Sequence, residues 1–358
     1  MIERDDGAAA VPLLGVMHRS PHHAAASGYP RLAEFIAGMG SITGERSRTP
    51  YRVRKSVASH MPGRGRNYNS LSLGKELELL GAIRGTTRGV AHYFDAERDA
   101  CIGPMLAGRF GWATSGSFHY PPSIMREVIS VRSVGRLDAA VALASNQVGV
   151  LADIVTDERV HLIPLGVDID FFCPAGAGAP RDRQHVLLVG QHLRDFDVFA
   201  DTVELLKTRH PGLRVTAVLL SSYQKLIPKR SWISVRSGID DVELRSLYRS
   251  ASCLVLPLRD AAACTAIVEA MACGLPVVTT DVGGTVDYVP DGVGFRCGQG
   301  DPQAMADAVS ELFDASQQEL SDLAAVTRQH ALQYSLPVVA RQLQDLLVSL
   351  GSPPRPSL

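Results

Sequence analysis

Residues 268–284 read VEAMACGLPVVTTDVGG, and before Asp281 their only charge is Glu269. Burying a lone carboxylate costs several kcal/mol unless something bonds to it, so this residue needs a partner. On either side of it, CLVLPL from Cys253 and LPVVTT from Leu275 predict strands. Between them the spacing predicts a helix from about Ala263 to Cys273, stopped by Gly274 with Pro276 beyond. Strand, helix and strand in this order predict a parallel sheet with helices packed on its faces. In such sheets ligands bind at the carboxyl ends of strands, where helix amino termini offer free N–H groups to anions. Glu269 falls in an early helical turn in that zone. It either accepts hydrogen bonds from a ligand's vicinal hydroxyls or serves as a helix-dipole or capping carboxylate.

The same alternation extends both ways. Upstream, HVLLVG from His185, LRVTAVLL from Leu213 and SWISVRS from Ser231 predict further strands, with helices near 196–208 and 240–250. Downstream, Asp301 and Pro302 begin a helix as N-cap and first helical residue. Before AGAGAPRDRQ, a Gly/Ala/Pro-rich segment without periodicity, strands are predicted from Val11, Tyr51, Gly89, Trp112, Ala139 and Val160. The division is therefore a doubly wound domain over 1–172, a linker over 173–184, a second such domain over 185–335, a terminal helix over 336–349 and a disordered tail over 350–358. A chain of 358 residues suits two cores of about 170 residues each.

Composition narrows the partners. With a formal net charge of −1 and 46% hydrophobic residues, the chain has no global pull toward nucleic acid or an anionic membrane. Its six cysteines form no C-x-x-C pair and do not cluster with histidines, which argues against a zinc site or a disulfide framework and suits a reducing cytoplasm. No run of about 18 apolar residues is present. The acidic start MIERDD and a short apolar run do not suit a signal peptide, so a soluble or peripheral protein is expected. Arg greatly outnumbers Lys and Ala is abundant, as in GC-rich bacterial genomes.

Taken together, SLYRSASCLVLPL, IVEAMACGLPVVTTDVGGTVDYV, GVGFRCGQGDPQAMADAV, the upstream VALAS and VHLIPLGVDIDFF, and the terminal YSLPVVARQLQDLL resemble the retaining glycosyltransferases of family 4, which have the GT-B fold. The resemblance is good over 139–349 and weak over the first 110 residues. It implies two Rossmann-like domains facing a cleft, an acceptor domain first and a nucleotide-sugar donor domain second, with the terminal helix crossing back. The implied reaction moves a sugar from a nucleotide diphosphate to a hydroxyl acceptor by a front-face route, with no cofactor and no metal. In that family the Glu of EAMACG binds the ribose hydroxyls, which gives Glu269 its role. A second family glutamate, which contacts the donor sugar, precedes it by eight positions; here that position is Ala261, and the nearest carboxylate is Asp260, either a shifted substitute or a loop charge paired with Arg259. Ala263, Cys264 and Thr265 stand where backbone N–H groups face the distal phosphate and sugar.

A family Arg and Lys after the first strand of the second domain neutralise the diphosphate. Aligning the helix DVFADTVELL sets Arg194 on the Lys position, with Gly190, Gln191 and His192 in the shortened loop before it. The alternative for Arg194 is an ion pair with Asp195 or Asp197. In the first domain, His119 ends a strand where a family His faces the donor sugar. His92, with Asp95, is a further candidate at the end of the preceding strand, and Gly28 matches a glycine loop before a helix. Asp168 and Asp170 spell D-x-D, yet they sit in the family's GVD boundary segment rather than in a metal motif.

The stretch 46–66 holds Arg46, Arg48, Arg52, Arg54, Lys55, Arg64 and Arg66 and no acid. It suits a phosphorylated or lipid-linked acceptor, a peripheral contact with the inner face of a membrane, or a solvated loop. The aromatics Tyr51 and Tyr68 are too few for a base-stacking surface, so no nucleic-acid partner is expected. Two other functions stay open: a weakened GT-B protein that binds a nucleotide sugar or supports a partner enzyme, suggested by Ala261, and an epimerase.

Overall fold

A computed structural model of the chain describes residues 11–18, 26–176 and 181–352. Two six-stranded parallel sheets dominate it. The first contains β1 (Leu13–Val16), β2 (Met39–Ile42), β3 (Gly89–Tyr93), β4 (Trp112–Phe118), β5 (Ala139–Ala142) and β6 (Val160–Leu162), in the order β2-β1-β3-β4-β5-β6. The second contains β7 (His185–Val189), β8 (Arg214–Val218), β9 (Ile233–Arg236), β10 (Cys253–Leu256), β11 (Val277–Thr280) and β12 (Phe295–Cys297), in the order β12-β11-β10-β7-β8-β9. β5 and β10 are apolar and buried at every position because helices cover both faces of each sheet. All strands of a sheet run the same way, so their carboxyl ends form one rim, and the two rims face each other across a seam.

Several elements depart from the sequence expectation. YRVRKS, expected to be a strand, opens the helix Tyr51–His60, which follows Pro50 and buries only Ala58. Its apolar and basic residues alternate, but the sheet edge it would have filled is taken by β2, whose MGSI lacks any apolar alternation. β12 lies outside the expected strands as well. The helix carrying Glu269 spans Thr265–Ala272, starting after Ala263 and ending before Cys273. The terminal helix spans Leu336–Gly351, so Leu350 and Gly351 are helical rather than tail. It is buried through Leu336, Val339, Leu343 and Leu347 and packs on β3, β4 and the 3-10 segment Tyr29–Phe35, all of the first domain. Residues 177–180 of the expected linker and 353–358 of the expected tail lie outside the described residues.

The seam is tightly closed. Gly284 is one reason: a Cβ there would lie 2.1 Å from the Ala262 carbonyl oxygen and 2.4 Å from the Ala144 Cβ of the first domain. Only glycine allows that approach.

Candidate active site

At the carboxyl end of β7 the chain turns through Gly190 and Leu193, both at positive φ (81° and 56°). The loop is fastened to the segment after β10, because Asp195 N–H donates to the Pro257 carbonyl (2.9 Å) and Arg259 N–H to that of Leu193 (3.0 Å). This folds Arg194 back over its own strand. The guanidinium donates from Nε and Nη2 to the Val189 carbonyl (3.1 and 2.9 Å) and from Nη1 to that of His192 (3.0 Å). Nη2 also lies 3.3 Å from Cys264 Sγ. The alternative of an ion pair with Asp195 or Asp197 is overturned: those carboxylates face Arg259 at 3.3 and 3.2 Å. Arg194 makes no ion pair among the described residues. A Cβ on Gly190 would lie 3.1 Å from its Nη2, so glycine leaves the guanidinium its place.

Cys264, which Arg194 touches, is the N-cap of Thr265–Ala272, and no side chain caps that helix. Its first-turn N–H groups and the nearby guanidinium therefore create a positive corner suited to an anion. Ala263, Cys264 and Thr265 all lie in this corner. His192 is exposed beside it, and its ring meets that of Tyr120, from the first domain, with centroids 5.7 Å apart. Gln191 turns away, accepting from Leu220 N–H at 3.3 Å.

Glu269 is only 3% exposed, and it does not look into an open cleft as expected. Its Oε1 accepts from the Ser27 hydroxyl of the first domain at 2.6 Å and its Oε2 from the Tyr248 hydroxyl at 2.9 Å. Neither bond goes to a helix N–H group, so the capping alternative is overturned too. Burial pushes its carboxyl up to about 7 in spite of the two hydrogen bonds. Gly28, at φ 114°, leads from Ser27 into the 3-10 segment rather than an α-helix.

His119 stands just beyond β4, half-buried, its Nε2 bonded to the Phe94 carbonyl at 2.7 Å, which makes that nitrogen the N–H donor. Its own backbone N–H, and that of Tyr120, donate to the buried Glu97. His92 is corrected: it is fully buried inside β3, with Nδ1 at 2.9 Å from Ser115 Oγ and Nε2 at 3.1 Å from Ser117 Oγ, and burial lowers it to about 3. It cannot reach a ligand. Asp95 caps the short helix Ala96–Asp99 and lies 3.3 Å from Arg98. Asp260 accepts from the Ser123 hydroxyl across the seam and from Ala261 N–H at 2.8 Å, not from Arg259. Ala261 is buried, and its carbonyl accepts from Asn146 Nδ2 of the first domain at 2.9 Å.

Asp168 is consumed by structure, with Oδ2 on Arg31 Nη1 (2.7 Å) and Oδ1 on the N–H groups of Asp170 and Phe171 (3.2 and 3.0 Å). Asp170 lies in the turn that Asp168 caps. In the basic stretch, Arg46, Arg48, Arg52, Lys55 and Arg66 are exposed; Arg54 and Arg64 turn inward onto the carbonyls of Gly44 and Tyr68. Sequence reasoning missed Ser27, Tyr248, Ser123 and Asn146. Only Tyr248 left a signal, as the aromatic in SLYRS.

Known proteins resemble this chain in sequence and in fold. Residues 183–315 match the family described as Glycosyl transferases group 1. D-inositol 3-phosphate glycosyltransferase of Paenarthrobacter aurescens is 29% identical over 222 residues, 54% of this chain and 54% of that protein. The one from an Arthrobacter species is 31% identical over 205 residues, 50% and 48% of the two chains. The match thus spans about half the length of these curated relatives. Among solved structures, sucrose-phosphate synthase from Thermosynechococcus elongatus is similar with a TM-score of 0.70 at 17% identity, over 95% of this chain and 99% of its own. Anabaena HepE, solved with UDP-glucose, is similar with a TM-score of 0.63 at 15% identity, over 77% and 82%. Residues 183–315 thus resemble the group 1 glycosyl transferases, and the chain as a whole has the GT-B fold.

Proposed function

We infer that this protein is a retaining glycosyltransferase, which moves a hexose or related sugar from a nucleotide-diphosphate sugar to a hydroxyl of a glycan, glycolipid or natural product. The observation that carries this reading is Arg194, which no carboxylate opposes among the described residues, at the uncapped amino terminus of Thr265–Ala272. Negative charge grows on the leaving diphosphate as the bond to the sugar breaks, and a fixed cation with oriented N–H groups stabilises that charge. Positive charge from these groups takes the place of a divalent metal, so turnover is expected to survive chelator.

In this scheme Glu269 holds the ribose and His119 orients the donor sugar. The acceptor hydroxyl attacks from the side on which the phosphate leaves. The names of the relatives and the UDP-glucose held by HepE support a nucleotide-sugar donor. On the helix Tyr51–His60, exposed Arg52 and Lys55 beside exposed Tyr51, Val53 and Val57 support peripheral contact with an anionic membrane face.

The test is a panel of UDP-, GDP- and ADP-sugars read for released nucleoside diphosphate. Release from at least one donor is expected. Ala261, in place of a sugar-binding carboxylate, favours one other reading, a binder with weakened catalysis; thermal shifts without release from any donor would establish it.

A further inference from the structure

The ribose role of Glu269 meets an obstacle in the protein itself: both carboxylate oxygens already have donors. Tyr248, on Oε2, is fully buried and belongs to the same domain as Glu269, so it is part of the framework that aims the carboxylate. Ser27, on Oε1, is different. It comes from the first domain, 242 positions away, on a segment clipped to the second domain at a second point, where Ala26 N–H donates to Asp241. Four residues on, Arg31 pairs with Asp168 at 2.7 Å. The cavity lined by Ser27, Gly28, Thr265 and Glu269 measures only about 10 Å³. That is room for a single water at most and far too little for a ribose.

The bond that Ser27 makes is a hydroxyl donating to a carboxylate. A ribose hydroxyl would make the same bond to the same atom, so the two compete. We propose that Ser27 is an internal competitor for the donor: it occupies the ribose position on Glu269 in the nucleotide-free protein, and the segment Ala26–Gly28 must withdraw before a nucleotide binds. Gly28, at a φ of 114° that side-chain-bearing residues rarely adopt, is the pivot the segment needs. The apparent affinity for nucleotide is then the intrinsic affinity reduced by the fraction of molecules with the segment withdrawn. This inference rests on the reading of Glu269 as the ribose-binding residue.

The experiment is calorimetry on the full chain with UDP, GDP and ADP, and with the 2′,3′-dideoxy form of whichever binds. It compares the parent with Ser27→Ala and Ser27→Thr, folding being checked by circular dichroism. The expected parent prefers the ribo form over the dideoxy form. Ser27→Ala removes the competing hydroxyl and binds the ribo form tighter, up to about tenfold. Ser27→Thr keeps a hydroxyl and stays near the parent. If the parent shows no ribo preference, or binds none of the three, the ribose reading itself fails. If the preference holds while Ser27→Ala binds no tighter, or Ser27→Thr tightens as much as Ser27→Ala, the competitor is overturned and the ribose reading stands.

Discussion

Arg194 is held by carbonyl oxygens rather than by a carboxylate, and in the proposed reaction that difference matters. A neighbouring Asp would cancel its field at the phosphates, whereas carbonyl dipoles fix its position and leave its net charge intact. The charge should matter more in the transition state than in the bound ground state. Arg194→Ala is expected to lower turnover at saturating donor by about 10²-fold, and Arg194→Lys to recover part of it, since a point charge suffices. Steady-state kinetics on all three proteins check this; intact turnover in Arg194→Ala would remove the residue from the site. Glu269→Gln makes a complementary case. Under the proposed ribose role the amide preserves the shape but, above about pH 7 where the carboxyl is ionised, loses the charged acceptor for the ribose hydroxyls, so nucleoside diphosphate affinity at pH 8 should fall by on the order of 1.5–3 kcal/mol. Calorimetry that finds equal affinity would remove the ribose role.

The helix Thr265–Ala272 and its flanking strands were legible because apolar runs of the right length were punctuated by Gly274 and Pro276. The same rule read most strands of both sheets. It failed where tertiary context decides. Tyr51–His60 has the alternation of a strand, yet it lies as a helix because the sheet edge beside β1 is filled by β2. Within the helix Ser70–Ile83, Lys75 and Glu76 look like a solvated pair but are buried, Lys75 on Asp99 at 2.6 Å and Glu76 on three backbone N–H groups of 101–103 and two tyrosine hydroxyls. Their partners lie eight or more positions away, outside the helix, and no local pattern announces them. At the site, the positive corner of Arg194 and Cys264 followed from aligned motifs, whereas the cross-seam partners Ser27, Ser123 and Asn146 did not, because they depend on how the domains dock. Gly284 tests that docking at the level of one turn. A methyl group on it would come within 2.1 Å of the Ala262 carbonyl oxygen, so Gly284→Ala must displace either the loop bearing Ala261–Cys264 or the packing on Ala144. A loss of roughly 1–3 kcal/mol in denaturant unfolding is expected; unchanged stability would mean that the seam yields easily.

At the scale of the whole molecule, the domains are joined by polar contacts on a shared seam. Tyr288 donates to the Leu143 carbonyl at 2.6 Å and accepts from Leu165 N–H at 2.9 Å, and Asp287 accepts from the N–H and hydroxyl of Ser145 at 2.6 and 2.9 Å. Glu269 belongs to this seam, and its titration reports on closure. The groups that set it are burial first, then Ser27 and Tyr248, which lower its pKa, and the charge of Asp241, which raises it. Its pKa in the folded chain, about 7, stands above the ordinary 4.5, so between these values the folded protein holds a proton that the unfolded chain releases. Its contribution is thus complete below about pH 4.5, declines as pH rises, and is a full penalty, on the order of 3 kcal/mol, above about 7. Wild-type stability alone will not show this. His92 and His18, lowered by burial to about 3 and about 4, run the other way, adding stability as pH rises toward 6.5. Glu269→Gln isolates the group, since the histidines cancel in the difference. The melting temperature of Glu269→Gln minus that of wild type should therefore increase from pH 4.5 to about 7 and level off above it, measured by scanning calorimetry at constant ionic strength. A difference flat with pH would mean that Glu269 is ionised throughout and that water or a cation reaches the seam.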